Sequence, residues 1–199
     1  MLHQKDFRGF YMIEIENLKC RNLRIESLVI PEGLTFIRGK NGAGKTTLLE
    51  LAAGLRLPDK GSILIDGKTP REIHAGYVSE FPSRSLLFAK VSDEISSALR
   101  FRGMPEADIL RETEYTAEIF GISHLLKRDC RTLSGGEKVL TAAASASAGQ
   151  PKLIVLDEPD SHLDEQTAYE LSEALLKMEI PHIIWASHRK FAEGFEVVL

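Results

Sequence analysis

"LTFIRGKNGAGKTTLLELAAGL" occupies residues 34–55, and the fold hangs on how it is read. "LTFIRG" (34–39) is a short β-rich run, and "KTTLLELAAGL" (45–55) has the apolar spacing of a helix. Between them, Gly39, Gly44, Lys45 and Thr46 fit the pattern GxxxxGK[ST]. Glycines in such a loop let successive backbone N–H groups turn inward on phosphate oxygens, because no Cβ stands in the way. Lys45 supplies a point charge for the β- and γ-phosphates, and the Thr46 hydroxyl can ligate Mg²⁺. The helix that follows turns its positive N-terminal end to the same phosphates. Asn41, Gly42, Ala43 and Thr47 complete the nucleotide-binding set. A rival Gly-Lys-Thr in "IDGKTP" (65–70) has Ser62 where the first glycine belongs, and reads as a hairpin turn with no site.

Working outward, 12–18, 23–33, 61–70 and 75–81 read as strands bounded by turn residues. From about residue 92 to 130 the pattern turns helical. "SDEISSALRFRG" opens on a Ser or Asp cap, and "PEADILRETEYTAEIFG" has Pro in its first turn and Gly just past its end. A buried-looking strand (152–160), a helix (165–179) and another strand (182–188) follow. The alternation predicts a three-layer α/β core with a helical insert.

The 199 residues suit one large domain, and 43% apolar with 27% charged residues is ordinary for a soluble protein. A net charge of −4 gives no reason to expect nucleic acid as a partner. Cys20 and Cys130, without CxxC spacing, read as free thiols of a reducing compartment. Runs such as "LIVL" (153–156) fall far short of the roughly 18 residues that span a bilayer. The first eleven residues lack a signal peptide's apolar core. Any membrane role is then expected through a partner.

"LIVLDEPDSHLD" (153–164) adds acids to the phosphate loop. A strand ending in Asp157 puts a carboxylate where it can hold a Mg²⁺ shell, and Glu158 is placed to polarise an attacking water. Upstream, "LSGGEKVLTAAASASAG" (133–149) is an Ala-rich helix whose first turn holds two glycines. Each costs roughly 1 kcal/mol relative to Ala inside a helix. His188 closes the apolar strand "HIIWAS" (182–187), where phosphate sites form in such sheets. His74, His124, His162 and His182 have no such placement and read as surface or packing residues.

Taken in order, "GKNGAGKT", "LSGGE", "LIVLDEP", "SHLD" and the histidine of "ASH" resemble the motifs of the ATP-binding-cassette (ABC) ATPases, over nearly all the chain from Met12 onward. The resemblance implies a P-loop NTPase three-layer core with an N-terminal antiparallel β subdomain and an inserted α-helical subdomain. It implies one ABC ATPase domain over 1–199, with an ATP-binding core at 12–84 and 150–199. The helical subdomain would occupy about 85–149, and 1–11 would be an N-terminal extension. ATP and Mg²⁺ are the implied cofactors: Lys45 and Thr46 bind phosphate and metal, Asp157 holds the metal, Glu158 is the general base and His188 contacts the γ-phosphate. A second ABC ATPase subunit, identical or paralogous, is also implied, because members of this family clamp ATP head to tail. Ser134, Gly135, Gly136 and Glu137 of one subunit then face the phosphates held by the other, and Asp164 communicates across the interface.

The chain departs from the family pattern in four places. Glu80 stands where a Gln usually links metal and water to the membrane partner. No aromatic for stacking on adenine occurs in 17–30, so the base contact is expected to be weak or to come from elsewhere, with Phe7, Phe10 or Tyr11 as less favoured donors. Glu137, Val139 and Leu140 replace residues customary in and after the signature, ahead of small residues suited to close helix packing. The chain also stops eleven residues after His188, short of the accessory segments of many relatives. The main expectation is the ATPase subunit of a transporter, cytoplasmic and peripheral at the inner face of the membrane, driving an integral membrane permease. "EFPSRSLLFAKVSDEI" (80–95) is similar to the matching stretch of energy-coupling-factor and cobalt-type importer ATPases. The alternatives are a soluble non-transport cassette ATPase and a low-turnover nucleotide-binding regulator.

Overall fold

The computed structural model describes residues 11–189 and 191–199. β1 (Met12–Cys20) and β2 (Leu23–Pro31) form a hairpin, and β3 (Gly33–Arg38) leads through the phosphate loop into α1 (Lys45–Ala52). β4 (Lys60–Ile65) and β5 (Ala75–Val78) follow, then three helices, α2 (Val91–Phe101), α3 (Glu106–Ile119) and α4 (Gly135–Ser147). β6 (Leu153–Asp157), α5 (Glu165–Lys177), β7 (His182–Ala186) and β8 (Phe195–Val198) complete the chain. β2-β1-β4 make an antiparallel sheet, and β5-β6-β7-β3-β8 make a parallel one.

Every residue of β6 and β7 is buried, as strands covered on both faces must be. Their side chains alternate between two cores. Leu153, Val155, Ile184 and Ala186 pack with Leu48, Leu49 and Leu51 of α1 and with Ile13 and Ile15 of β1. Ile154, Leu156, Ile183 and Trp185 pack with Ile95 and Leu99 of α2, Ala143 and Ala144 of α4 and Leu171 and Leu175 of α5. Burying one such aliphatic side chain stabilises by roughly 1.5–3 kcal/mol, so these two layers hold the parallel sheet rigid. The run of small residues in α4 lets it lie close on β5, where a side chain at Gly76 would run into the Ala146 carbonyl. Cys20 and Cys130 are buried in different cores.

Because the strands are parallel, their C-terminal ends share one edge. β3 opens there into the phosphate loop, β6 into Asp157 and Glu158, β7 into Ser187 and His188, and β5 into Ser79 and Glu80. This is the crevice where ligands bind in open α/β sheets.

Several expected elements are trimmed or moved. β4 runs one residue earlier than expected, from Lys60, and ends at Ile65, where Asp66 and Gly67 take positive φ (51° and 75°) and make the turn expected over 65–70. The strand expected over 23–33 ends at Pro31, and β3 begins at Gly33. α2 starts at Val91, with Lys90 as an N-cap that makes no side-chain bond, so neither Ser92 nor Asp93 caps it. Pro105 is the N-cap of α3 and precedes its first turn. β8 was not foreseen: its four residues, mostly exposed, carry no alternation, and only pairing with β3 defines them.

Candidate functional site

The phosphate loop borders a cleft of about 430 Å³ lined by Lys40, Asn41, Gly42, Gly44, Lys45, Thr46 and Thr47. Glu80 and Glu158 close one side, and Arg21, Asn22 and Leu23 from the β1–β2 turn close the other. Gly44, the N-cap of α1, has φ 107°, and a Cβ there would press on the Leu23 side chain. Here the backbone itself demands glycine. The first intrahelical bond runs from Leu48 N to the Gly44 carbonyl, so the earlier N–H groups of α1 have no acceptor within the helix.

Three charged or polar side chains from three strand ends converge beside this loop. Lys45 is 6% exposed, and its Nζ donates to the Gly39 carbonyl at 3.0 Å. The same Nζ lies 3.0 Å from Glu158 Oε1 and 3.2 Å from His188 Nε2. His188 Nε2 in turn lies 3.1 Å from Glu158 Oε1. A lysine this deep needs such partners, since a lone buried ammonium is strongly disfavoured. Glu158 holds its position in a left-handed backbone (φ 49°, ψ 40°), uncommon outside glycine and a mark of stored strain.

Asp157, 4% exposed, bonds the Thr46 side chain and the Tyr77 hydroxyl. Burial pushes its carboxyl up, and neighbouring Glu158 and Glu80 add to this against the Thr46 bond and the Lys45 charge. Burial likewise pushes the Tyr77 phenol up, with Asp157 the next cause. Among the described residues no group of three or more His, Cys, Asp or Glu converges on a metal position. A threonine hydroxyl beside a buried carboxylate, as at Thr46 and Asp157, could serve a cation that takes its remaining oxygens from phosphates, the usual habit of Mg²⁺.

The signature residues lie elsewhere. None of Ser134, Gly135, Gly136 or Glu137 lines the cleft of its own chain. Ser134 and Glu137 close a capping box: Ser134 N donates to Glu137 Oε2 at 2.7 Å and Glu137 N to Ser134 Oγ at 3.2 Å. The Ser134 N–H holds the Glu137 carboxyl below its ordinary range, and Arg128 pairs with it at 3.0 Å. Glu137 thus has an account that the family pattern did not supply, and Ser-x-x-Glu was readable in the sequence. Val139 is fully buried, and Leu140 packs beside the same core. Asp164 is the N-cap of α5 and accepts from Thr167 N at 2.7 Å.

Three groups in or near the site escaped the sequence. The Arg21–Leu23 wall carries no motif and reaches the cleft only because the hairpin folds over it. His162 donates from Nε2 to the Glu80 carbonyl at 3.1 Å, joining the segment after β6 to the one after β5. Glu94, 5% exposed, accepts from Leu87 N and Phe88 N at 2.7 and 2.8 Å and shapes the loop before α2. Of the aromatic donors considered for adenine, Phe7 and Phe10 lie outside the described residues. Tyr11 is no donor: it sits at the opposite end of β1 from the cleft, with Lys152 Nζ 5.8 Å from its ring centroid. His182 is a packing residue as expected, 1% exposed with Nε2 2.9 Å from Asp66 Oδ1.

The ABC transporter family model matches residues 24–161. The molybdate/tungstate import ATP-binding protein WtpC of Thermococcus kodakarensis is 39% identical over 171 residues, 82% of this chain and 48% of that protein. The energy-coupling factor transporter ATP-binding protein EcfA1 of Thermotoga maritima is 37% identical over 97% of this chain and 73% of its own. Among solved structures, cbiO1 from Clostridium perfringens, part of the ABC transporter complex cbiONQ, matches with a TM-score of 0.81. That match has 29% identity and covers 91% of this chain and 80% of that one. The chain thus spans about half the length of WtpC.

Proposed function

The chain belongs to the ABC transporter family, and on that premise we propose that it is the ATP-binding and ATP-hydrolysing subunit of an ABC transporter. It pairs head to tail with a second cassette around two ATP molecules and drives a separate membrane permease. The observation that carries this reading is the convergence of Lys45, Glu158 and His188 within 3.0–3.2 Å of one another beside the phosphate loop.

In this reading the loop from Gly39 to Thr47 and Lys45 hold the phosphates, and Arg21, Asn22 and Leu23 receive the base. Thr46 and Asp157 hold Mg²⁺, which when bound neutralises charge on the β- and γ-phosphates. Glu158 takes the proton of the attacking water, with its strained backbone keeping the carboxylate at the loop. His188 contacts the γ-phosphate. When ATP arrives, its phosphates replace Glu158 and His188 as partners of Lys45, freeing both groups for the water.

The glycines of the signature support a second subunit. Gly135 would meet no atom within 4 Å on gaining a Cβ, and Gly136 only ordinary contacts with Leu163 and the His162 carbonyl. Neither has a positive φ. Nothing among the described residues requires glycine there, and in this reading the requirement comes from outside: the partner's phosphates, approached by exposed backbone N–H groups. Asp164 would carry the contact between subunits.

The helical segment of about 85–149 is the part that meets the permease, and the chain works at the inner face of the membrane. Leu87 is 81% exposed and borders a groove of about 540 Å³ that joins apolar Leu86 and Phe88 to basic Arg131 and Lys138, which suits an amphipathic coupling segment. Among the described residues no helix is long and apolar enough to cross a membrane. The names of WtpC and EcfA1 favour import.

Two measurements test the reading. Purified protein should hydrolyse ATP in the presence of Mg²⁺, and Glu158→Gln should abolish turnover while retaining ATP. Light scattering on that variant should show an ATP-dependent doubling of mass. No turnover in the wild type with its membrane partner present would sink the enzyme assignment in favour of a regulator. A monomer with ATP bound would sink the homodimer and leave a paralogous cassette as the partner to find.

A further inference from the structure

Asp160 is a buried carboxylate that the proposed chemistry leaves unused. It lies two residues beyond Glu158, is 3% exposed, and still gathers three donors. Its Oδ1 accepts from Trp185 Nε1 at 3.0 Å. Its Oδ2 accepts from Arg189 Nε at 3.2 Å and from Ser187 Oγ at 2.9 Å, a hydroxyl whose one proton also has the Arg189 carbonyl within 3.0 Å. Arg189 reaches on through Nη2 to the Leu163 carbonyl at 3.1 Å, and its backbone N–H donates to Ser187 Oγ at 2.9 Å. Trp185 is itself wedged between Phe36 and Phe191, with ring centroids at 6.2 and 4.8 Å.

These bonds join two segments. One is the turn after β6 (Pro159–His162) with Leu163 and Asp164 behind it; the other is the turn after β7 that carries His188. Ser187 and Arg189, the two neighbours of His188, are both held by Asp160. His188 itself is 48% exposed at its side chain, and its ring is held at one nitrogen, by Lys45 at 3.2 Å and Glu158 at 3.1 Å. A carboxylate is an expensive group to bury without a specific task, and its task here is legible from its partners.

We propose that Asp160 is a positioning residue for His188. It clamps the turn after β7 to the turn after β6, so that the imidazole stays within reach of Glu158 and Lys45. Through Arg189 and the Leu163 carbonyl, the clamp extends to the segment that ends in Asp164. A shift of that segment when a second subunit docks is thereby passed to His188. The proposal rests on the reading of His188 as a γ-phosphate contact.

The test uses Asp160→Asn and Arg189→Gln in the full chain. The second removes only the outer bonds and leaves the buried carboxylate on Trp185 and Ser187, so it carries the test if the first fails to fold. Misplacing a group by about 1 Å can cost on the order of 100-fold in rate. Asp160→Asn should therefore lower kcat by roughly 10- to 100-fold and Arg189→Gln by less, with ATP affinity and KM within about threefold of wild type. In a His188→Ala background neither change should lower kcat further. A turnover-independent arm follows the His188 ring signal by NMR, identified by its loss in His188→Ala: it should shift and broaden in both variants. Emission from Trp185, the only tryptophan in the chain, reports whether the clamp has opened. An unchanged His188 signal, or an additive fall in the His188→Ala background, overturns the clamp. A wild type without turnover defeats the ATPase reading instead, and the ring signal still decides the clamp.

Discussion

Two helices in this molecule begin on glycine, and they do so for opposite reasons. At the start of α1, Gly44 sits at φ 107° with Leu23 against it, so the chain's own conformation requires the residue. At the start of α4, Gly135 and Gly136 have ordinary backbone angles and room for a side chain. The first N-terminus lines a cleft of its own chain; the second lines none of it. Local geometry explains the first glycine, whereas the second pair finds its explanation only in the proposed assembly, where a second subunit's phosphates would face it.

Substitutions can break that contrast. Gly44→Ala should be the most damaging, since it forces a non-glycine residue into a strained region at about 1–3 kcal/mol and disturbs the loop that holds phosphate. Both the melting temperature and ATP affinity of the isolated chain should fall. Gly135→Ala should split the two readouts. The melting temperature should hold or rise, by at most the roughly 0.5–1 kcal/mol that separates Gly from Ala in a helix, and ATP affinity of the monomer should hold. Turnover and ATP-dependent pairing should drop by on the order of tenfold or more, the scale for losing one preorganised contact to a reacting phosphate. A Gly135→Ala protein that turns over normally would remove the basis for the contrast.

Glu137→Gln is the mildest change and sharpens the comparison from the side of folding. The amide can still cap, but the pair with Arg128 goes, so the loss should stay under about 1 kcal/mol. Its pH dependence has a definite sign. The Glu137 carboxyl is held below its ordinary range, so its contribution is present above that range, about pH 4, and is lost as pH falls through the lowered value. Thermal melts of wild type and Glu137→Gln should therefore converge as the solution is acidified.

The sequence revealed the parts of the site whose chemistry depends on spacing along the chain. Lys45 and Thr46 follow glycines at set intervals, Asp157 and Glu158 close an apolar run, and His188 closes another. The parallel sheet brings those ends to one edge without further instruction. The Arg21–Leu23 wall and the Asp160–Arg189 clamp were invisible because each depends on which loop lies beside which, and no local pattern encodes that. β8 was missed for the same reason. The Glu137 capping box is local and legible as Ser-x-x-Glu, a helix-start pattern that the family signature overlaps. Tyr11 was misplaced because nearness in sequence to the hairpin says nothing of which end of β1 meets the cleft.

The left-handed backbone of Glu158 carries a last consequence, for how this position can change over time. A left-handed residue other than glycine costs roughly 1–2 kcal/mol, and Gly or Asn there would relieve much of it. Against that gain, either residue would leave the buried Lys45 ammonium without its Glu158 partner, so strain relief and loss of the ion pair oppose each other at this position. A change to either would thus gain little in folding while removing the carboxylate that stands beside the phosphate loop.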